Sequence, residues 1–174
     1  MDSRNNTLCM KYLYKFESFE RLLKENDEEH RKTLSDTGFW GKQGAGCIVL
    51  CKSTKRLLLP LRSSYVLEPN TWGVWGGAID SDENPEIAVR RELLEEAGYS
   101  GMVEMVPLSI FQKDSFRYFN FLAIVDEEFE PRLNWETEDF TWTELDNLPQ
   151  PLHFGLKWLL SQDYDRLSNI ISSI

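Results

Sequence analysis

The stretch from Gly77 to Tyr99 most constrains what this chain can fold into, because it contains a turn, an acidic loop and both ends of a helix. Its sequence is GAIDSDENPEIAVRRELLEEAGY. Asn84 is a favourable N-cap, Pro85 suits the first helical position, and the glutamate that follows favours the positive end of the helix dipole. Gly98 is typical of the residue that ends a helix. We therefore predict a helix that begins at Pro85 and ends before Gly98, and a turn at Gly76 and Gly77 ahead of the acidic loop.

Three glutamates of this predicted helix, Glu92, Glu95 and Glu96, are spaced i, i+3 and i+4. At roughly 100° per residue, this spacing places their carboxylates on one arc of the helix. Such like charges repel one another by about 0.2–0.5 kcal/mol each on an exposed helix. The arc is either a solvated acidic face or a site for a hard cation. Mg²⁺ and Mn²⁺ prefer oxygen ligands, and Mg²⁺ commonly joins carboxylates to substrate phosphates.

The residues around the glutamates favour the metal site. The stretch resembles the signature of the Nudix hydrolases, G-x5-E-x7-R-E-U-x-E-E-x-G-U, in which U is a bulky aliphatic residue. The fixed positions fall on Gly77, Glu83, Arg91, Glu92, Leu93, Glu95, Glu96 and Gly98. Only the last position departs from the pattern, since Tyr99 stands where an aliphatic residue is usual. The resemblance implies an α/β/α sandwich around a mixed sheet, over residues 44 to about 158.

Strand and helix patterns along the chain agree with an α+β fold. Strands are predicted at 47–51, 56–62, 102–111, 116–125 and 139–143, and a closing helix at 153–171. Residues 1–38 form a predicted N-terminal helical extension, and residues 39–174 the Nudix hydrolase domain. The extension could cover one side of the core or mediate a homodimer.

The resemblance implies that Glu92, Glu95 and Glu96 hold one or more Mg²⁺ ions, with Mn²⁺ as a substitute and the Gly76 carbonyl as a further ligand. A divalent ion neutralises the charge of a diphosphate and orients it. We expect Glu83 either to reach a second metal or to bond its loop to the helix start.

The resemblance also implies a supporting residue and a general base. We expect Arg91 to hold the glutamates in place by charge-assisted hydrogen bonds. A base must deprotonate the attacking water. Some Nudix enzymes use a glutamate of the signature helix, which here points to Glu92. Others use a glutamate about six residues ahead of a tryptophan, which points to Glu136 ahead of Trp142. A solvated acidic loop is the other interpretation of Glu136.

Three further residues are candidates for substrate binding. Arg62 ends a predicted strand near the expected phosphate path, although it could equally form a surface ion pair. Trp72 and Tyr118 are expected at the pocket rim, where they could stack a nucleobase. Aromatic residues more often pack in a core, so both have a structural alternative. A lone histidine at a helix start, His153, is expected to be structural.

Composition limits the partners. The chain has 174 residues and a net charge of −10, and this acidity without a basic patch argues against binding to polymeric nucleic acid. No apolar run approaches the ~20 residues of a membrane span, and we see no secretory signal. The three cysteines lack a CxxC spacing, which fits a reducing cytoplasm and excludes a thiolate metal site.

We therefore predict a Mg²⁺-dependent hydrolase. It would cleave the pyrophosphate bond of a nucleoside diphosphate linked to another group, such as a nucleotide sugar, a dinucleotide or a nucleoside triphosphate. One alternative is a nucleotide-binding sensor or interaction module of the same fold that does not hydrolyse its ligand. Another is an isoprenoid diphosphate isomerase, which would need a cysteine facing the metal site, and no obvious one is present.

Overall fold

A six-stranded mixed sheet organises residues 43–174, the part of the chain that the computed structural model describes. The elements are β1 (Gln43–Cys51), β2 (Leu57–Arg62), β3 (Trp75–Ala78), α1 (Pro85–Ala97), β4 (Glu104–Lys113), β5 (Phe116–Val125), β6 (Thr137–Thr143) and α2 (Phe154–Ser173). The strand order is β4–β5–β1–β2–β6, and β3 pairs with β1 off this path. Strands β1 and β5 are parallel, and the other pairs are antiparallel.

The two helices cover opposite faces of the sheet. Successive side chains of a strand point to opposite faces. Cys47 and Val49 of β1 accordingly join the core cluster of α1, whereas Ile48 and Leu50 join that of α2. The predicted α+β arrangement, a sandwich of helix, mixed sheet and helix, is confirmed. Neither of these helices combines the length and the apolar character needed to cross a bilayer.

Helix α1 begins and ends where its sequence predicts. The Asn84 side chain accepts a hydrogen bond from the Ile87 N–H at 2.9 Å, and Pro85 occupies the first turn. Gly98 adopts a left-handed conformation with φ +64°, and its N–H donates to the Leu94 carbonyl at 3.0 Å. These contacts satisfy backbone groups that a helix end would otherwise leave unpaired. The caps fix the orientation in which α1 presents its glutamates.

Several strand boundaries differ from the prediction. Strand β1 begins at Gln43 rather than at residue 47, because its glycines pair with β3 and β5. Pro60 lies in β2, which is an interior strand of the sheet. Pairing between β2 and β1 includes only Leu57 and Leu58 of β2, so Pro60 pairs only with β6, and an irregularity follows at Leu61/Arg62. A proline is tolerated in a strand where one side forms no ladder of backbone hydrogen bonds with a neighbouring strand.

The strand directions bring distant parts of the chain to one end of the sheet. Gly44 pairs with both Ala78 of β3 and Tyr118 of β5, and Arg62 pairs with Thr137 at the start of β6. Gly76 and Gly77 lie in β3 rather than in the predicted turn, and they share this end of the sheet with Arg62, Tyr118 and the loop before β6. The predicted N-terminal extension, residues 1–38, lies outside the described residues, and its role stays a prediction.

Candidate active site

The three glutamates on the arc of α1 differ in how far the protein encloses them. Glu96 is only 7% exposed. The side chain of Glu92 is 12% exposed, whereas that of Glu95 is 55% exposed. The arc thus runs from the protein interior, beside Gly76 of β3, out to solvent. A ligand on this arc would be enclosed at Glu96 and reachable from Glu95.

Glu96 is a buried carboxylate beside other carboxylates. Its Oε2 accepts a hydrogen bond from the Gly76 N–H at 2.8 Å. Burial raises the pKa of Glu96 well above its usual range, and the charges of Glu136 and Glu92 raise it further. The Gly76 hydrogen bond and the Arg62 charge act in the opposite direction. A buried carboxylate with this balance is stabilised in its charged form by a nearby cation.

Arg91 is the hub that links the acidic loop to the helix glutamates. Its guanidinium donates to Glu92 Oε1 at 2.8 Å and to Glu95 Oε2 at 3.3 Å. It also donates to both carboxylate oxygens of Glu83, at 3.2 and 3.0 Å, and to the Ala78 carbonyl at 2.9 Å. The hydrogen bonds with Glu83 are the main cause of a raised pKa for Arg91. These contacts are those expected of a residue that orients the glutamates.

Glu83 makes the contacts of a loop-to-helix link. Besides its two bonds from Arg91, it accepts a hydrogen bond from the Asp80 N–H at 3.2 Å. Hydrogen bonding to Arg91 is the largest cause of its lowered pKa. The alternative role for Glu83, reaching a metal, stays a prediction.

Glu92 is held next to Gly77 of β3. Burial raises its pKa, while its hydrogen bond from Arg91 lowers it. A Cβ atom added to Gly77 would lie 2.6 Å from Glu92 Oε1. Glycine at this position therefore leaves room for the Glu92 carboxylate. This gives a physical reason for the glycine with which the signature begins.

Glu136 lies in the turn that precedes β6, and the fold brings it to the helix carboxylates. Its carbonyl accepts from the Ser63 N–H at 2.8 Å, and its N–H donates to Asn134 Oδ1 at 2.9 Å. Burial raises the pKa of the Glu136 carboxyl, Arg62 lowers it, and Glu95 raises it. Within residues 43–174, no hydrogen bond or ion pair engages its carboxylate. Among the described residues, Glu136 is thus a half-buried carboxylate without a hydrogen-bond partner, and its role as a general base stays a prediction.

Arg62 is enclosed near these carboxylates and forms no ion pair within residues 43–174. Its Nε–H donates to the Leu67 carbonyl at 2.8 Å. Burial lowers its pKa, while the charges of Glu96 and Glu136 raise it. Arg62 is therefore a second positive charge close to the carboxylates, and its hydrogen bond to Leu67 ties it to the loop that follows β2.

Tyr118 lies flat against the glycines of β1. A Cβ atom on Gly44 would lie 2.7 Å from Tyr118 Cδ2, and one on Gly46 would collide with the Tyr118 hydroxyl. Glycine in β1 thus lets the ring approach the backbone. Burial raises the pKa of Tyr118. The Tyr118 ring lies on the backbone near Gly76 and does not form an exposed rim. Its contact with a substrate stays a prediction.

Trp72 belongs to the layer between the sheet and α2. It packs against the core cluster of α2. Its N–H donates to the Pro151 carbonyl at 2.9 Å, and its carbonyl accepts from the His153 N–H at 2.8 Å. These contacts fit the structural alternative for Trp72. His153 is likewise structural, because its Nδ1 accepts from the Gly155 N–H at the start of α2 and burial lowers its pKa.

The carboxylates offer a donor set for a hard divalent cation, although their present orientations do not form a complete site. Within residues 43–174, no three acidic, histidine or cysteine side chains are placed to hold a metal ion as they stand. Glu92 is turned to Arg91, and Glu96 to the Gly76 amide. Clustered carboxylate oxygens nevertheless have the chemistry that Mg²⁺ or Mn²⁺ prefers.

Gly77→Ala tests whether the close approach of the Glu92 carboxylate to Gly77 of β3 matters for activity. The added methyl group must displace the flexible end of Glu92, so we expect turnover to fall about a hundredfold while the fold persists. Steady-state kinetics and thermal unfolding would measure both effects. Gly73→Ala is the matched control, because its Cβ would meet Arg62 Cδ at an ordinary 3.5 Å. Equal activity of the two variants would contradict the role given to Gly77.

Comparisons with known proteins agree with this geometry. The model of the NUDIX domain matches residues 41–162. Putative 8-oxo-dGTP diphosphatase 3 of Mycobacterium tuberculosis is 30% identical over 141 residues, which cover 72% of this chain and 65% of that protein. Diphosphoinositol polyphosphate phosphohydrolase 3-alpha of Mus musculus is 33% identical over 111 residues, covering 60% of this chain and 61% of that protein. The chain thus spans slightly less than two thirds of the length of these curated relatives.

Solved structures give the same fold. The crystal structure of a MutT NUDIX hydrolase from Burkholderia pseudomallei matches with a TM-score of 0.56 and 29% identity, covering 69% of this chain and 95% of that one. A Nudix hydrolase from M. smegmatis matches with a TM-score of 0.61 and 25% identity, covering 78% of this chain and 89% of that one.

Proposed function

Because this chain belongs to the Nudix family, we propose that it is a divalent-metal-dependent hydrolase of diphosphate bonds. Its substrate would be a nucleoside diphosphate linked to another group: a nucleotide sugar, a dinucleotide or a nucleoside triphosphate. The observation that carries this proposal is the enclosed Glu96 carboxylate, which lies beside Glu92 and Glu136 and has a raised pKa. Such a cluster is costly unless a cation or a proton compensates it.

Glu92, Glu95 and Glu96 would hold Mg²⁺ or Mn²⁺, together with the Gly76 carbonyl. When bound, the ion supplies charge neutralisation and orientation of the diphosphate. Arg91 positions Glu92 and Glu95 through the hydrogen bonds described above.

Glu136 is our preferred general base. A base needs free oxygens within reach of the attacking water, and a raised pKa brings it closer to the operating pH. Among the described residues, the Glu136 carboxylate has no hydrogen-bond partner and a raised pKa, whereas Glu92 Oε1 already accepts a hydrogen bond from Arg91. The Glu136 carboxylate would take the proton as the water oxygen bonds to one phosphorus and the bridging P–O bond breaks, so that the other phosphate-bearing group leaves. Arg62, whose charge lies near Glu136, would attract a phosphate oxygen.

The charges at the site support this substrate class. One relative is named for 8-oxo-dGTP and the other for diphosphoinositol polyphosphates. A polyphosphorylated inositol ring needs many cationic partners. In the part of the chain that the structure describes, the charges around Glu96 are mainly acidic, with Arg62 and Arg91 as the cations close by. This balance favours a substrate of lower charge, bound through a metal and a non-phosphorylated group.

A substrate screen would test the proposal. Purified protein would be incubated with Mg²⁺ and a panel of nucleotide sugars, dinucleoside polyphosphates and nucleoside triphosphates, and the products identified by mass. Two phosphate-bearing products from at least one compound are expected. Tight binding without products would instead indicate a sensor. Rearrangement of an isoprenoid diphosphate would indicate an isomerase, although Cys47 and Cys51 are both fully buried in β1.

Glu136→Gln tests the choice of base. We expect kcat to fall about 100- to 10,000-fold, because general-base catalysis contributes in that range. In the unsubstituted protein, activity should rise as the pH passes the raised pKa of Glu136, since only the deprotonated carboxylate accepts the proton. The variant should lose this acidic limb of the pH–rate profile. Glu138→Gln, an exposed position on β6, is the control. A variant that keeps both kcat and the limb would make Glu92 the base.

A further inference from the structure

Two exposed aromatic side chains lie on loops beside the carboxylate cluster and are not used by the proposed chemistry. Tyr65 is 58% exposed and Trp135 is 55% exposed. Among residues 43–174, neither side chain makes a ring contact or a side-chain hydrogen bond. Single exposed apolar residues are common on protein surfaces. Tyr65 and Trp135 differ from the other exposed apolar residues in their position.

The loops that carry Tyr65 and Trp135 meet at the proposed base. The Ser63 N–H donates to the Glu136 carbonyl at 2.8 Å, which continues the β2–β6 pairing one step beyond Arg62 and Thr137. The Tyr65 N–H donates to Ser63 Oγ at 3.3 Å, and Trp135 directly precedes Glu136. The two aromatic residues therefore flank the backbone that positions Arg62 and Glu136.

We propose that Trp135 and Tyr65 form a binding surface for a planar aromatic group of the substrate, a nucleobase joined to the scissile diphosphate. This inference rests on the proposed function and assigns the residues that select its substrate. Indole and phenol rings stack on any base without requiring a particular hydrogen-bond pattern. Neither residue carries a charge, so the surface suits a flat, uncharged group and not a phosphorylated sugar ring.

Trp135→Ala provides the test. We expect the Kd for non-hydrolysable α,β-methylene nucleoside triphosphates, measured calorimetrically with Mg²⁺, to rise about tenfold, which is within the range for the loss of one base–aromatic stack. KM for a base-bearing substrate should rise by a similar factor with little change in kcat. Trp135→Phe should restore most of the affinity, and Tyr65→Ala should weaken binding in the same direction. The abasic triphosphate should be unaffected by either alanine variant.

Tyr164→Ala is the matched control. Tyr164 is an exposed aromatic residue of α2 whose hydroxyl donates to Asp146 at 2.6 Å, so its loss should leave nucleotide affinity unchanged. Unchanged Kd in Trp135→Ala, or an equal loss for the abasic compound, would overturn the aromatic surface and leave hydrolysis intact. Nucleotide binding that depends on Trp135, without hydrolysis of any compound, would overturn the proposed function and leave the aromatic surface intact.

Discussion

Glu96→Gln is expected to reduce kcat at least about a hundredfold while making the metal-free protein more stable at neutral pH. Loss of a residue that only supports a metal ligand lowers metal affinity or activity about 10- to 100-fold, so loss of a ligand itself should lower activity further. Glutamine keeps an oxygen that can accept the Gly76 N–H, and it removes a buried charge.

The sign of the pH dependence follows from the raised pKa of Glu96. In the unfolded chain a glutamate titrates near about 4.3. Below that pH the carboxyl is protonated in both the folded and the unfolded state, so no charge has to be buried on folding. As the pH rises toward the folded-state pKa, the unfolded chain loses its proton first, and the stability of the metal-free protein falls. Glu96→Gln should lack this fall.

Thermal unfolding with EDTA at pH 4 and pH 7, together with kinetics in Mg²⁺, would measure both effects. Glu95→Gln is the matched variant: its side chain is 55% exposed, so it should lose activity without gaining stability. Retention of Mg²⁺-dependent turnover within tenfold by both variants would remove the glutamates from the proposed site. A less stable Glu96→Gln protein at pH 7 would contradict the account of the buried charge.

Arg91→Ala is expected to lower the free energy of unfolding by about 3 kcal/mol, because breaking an enclosed ion pair leaves its partners uncompensated. The side chains of Glu83 and Glu92 are each only 12% exposed and would lose their guanidinium partner. The Ala78 carbonyl would lose a donor as well. Activity should fall about 10- to 100-fold, as for other residues that orient metal ligands.

Arg90→Ala is the neighbouring control. Arg90 pairs with Glu86, and both side chains are more than 40% exposed, so this pair is worth less than about 1 kcal/mol. Urea denaturation of both variants would compare the two arginines. A loss of stability that is equal for Arg90→Ala and Arg91→Ala would show that Arg91 is not the hub of the site.

Local signals predicted α1 well, because its limits are set by residues adjacent in sequence. Asn84 and Pro85 fix the start and Gly98 the end, whatever the rest of the chain does. The i, i+3, i+4 spacing likewise placed Glu92, Glu95 and Glu96 together. Their different exposures were not predictable, because they depend on how β3, with Gly76 and Gly77, packs on the helix.

Long-range features of the site were harder to predict because they depend on strand order and register. Glu136 was predicted by family resemblance alone; its proximity to Arg62 and Glu96 arises from the pairing of β6 with β2. Tyr118 was expected at a rim, but the parallel pairing of β5 with β1 lays its ring on Gly44 and Gly46.

Hydrolysis in oxygen-18 water tests the central claim most directly. The unsubstituted protein, Mg²⁺ and a diphosphate compound from the screen would be combined, and the products analysed by mass. We predict that one of two phosphate-bearing products carries a single oxygen-18 atom, and that EDTA or Glu96→Gln removes this product. Labelled product that forms equally with EDTA or with Glu96→Gln, or no cleavage of any diphosphate in the screen, would contradict a metal-dependent hydrolase centred on these glutamates.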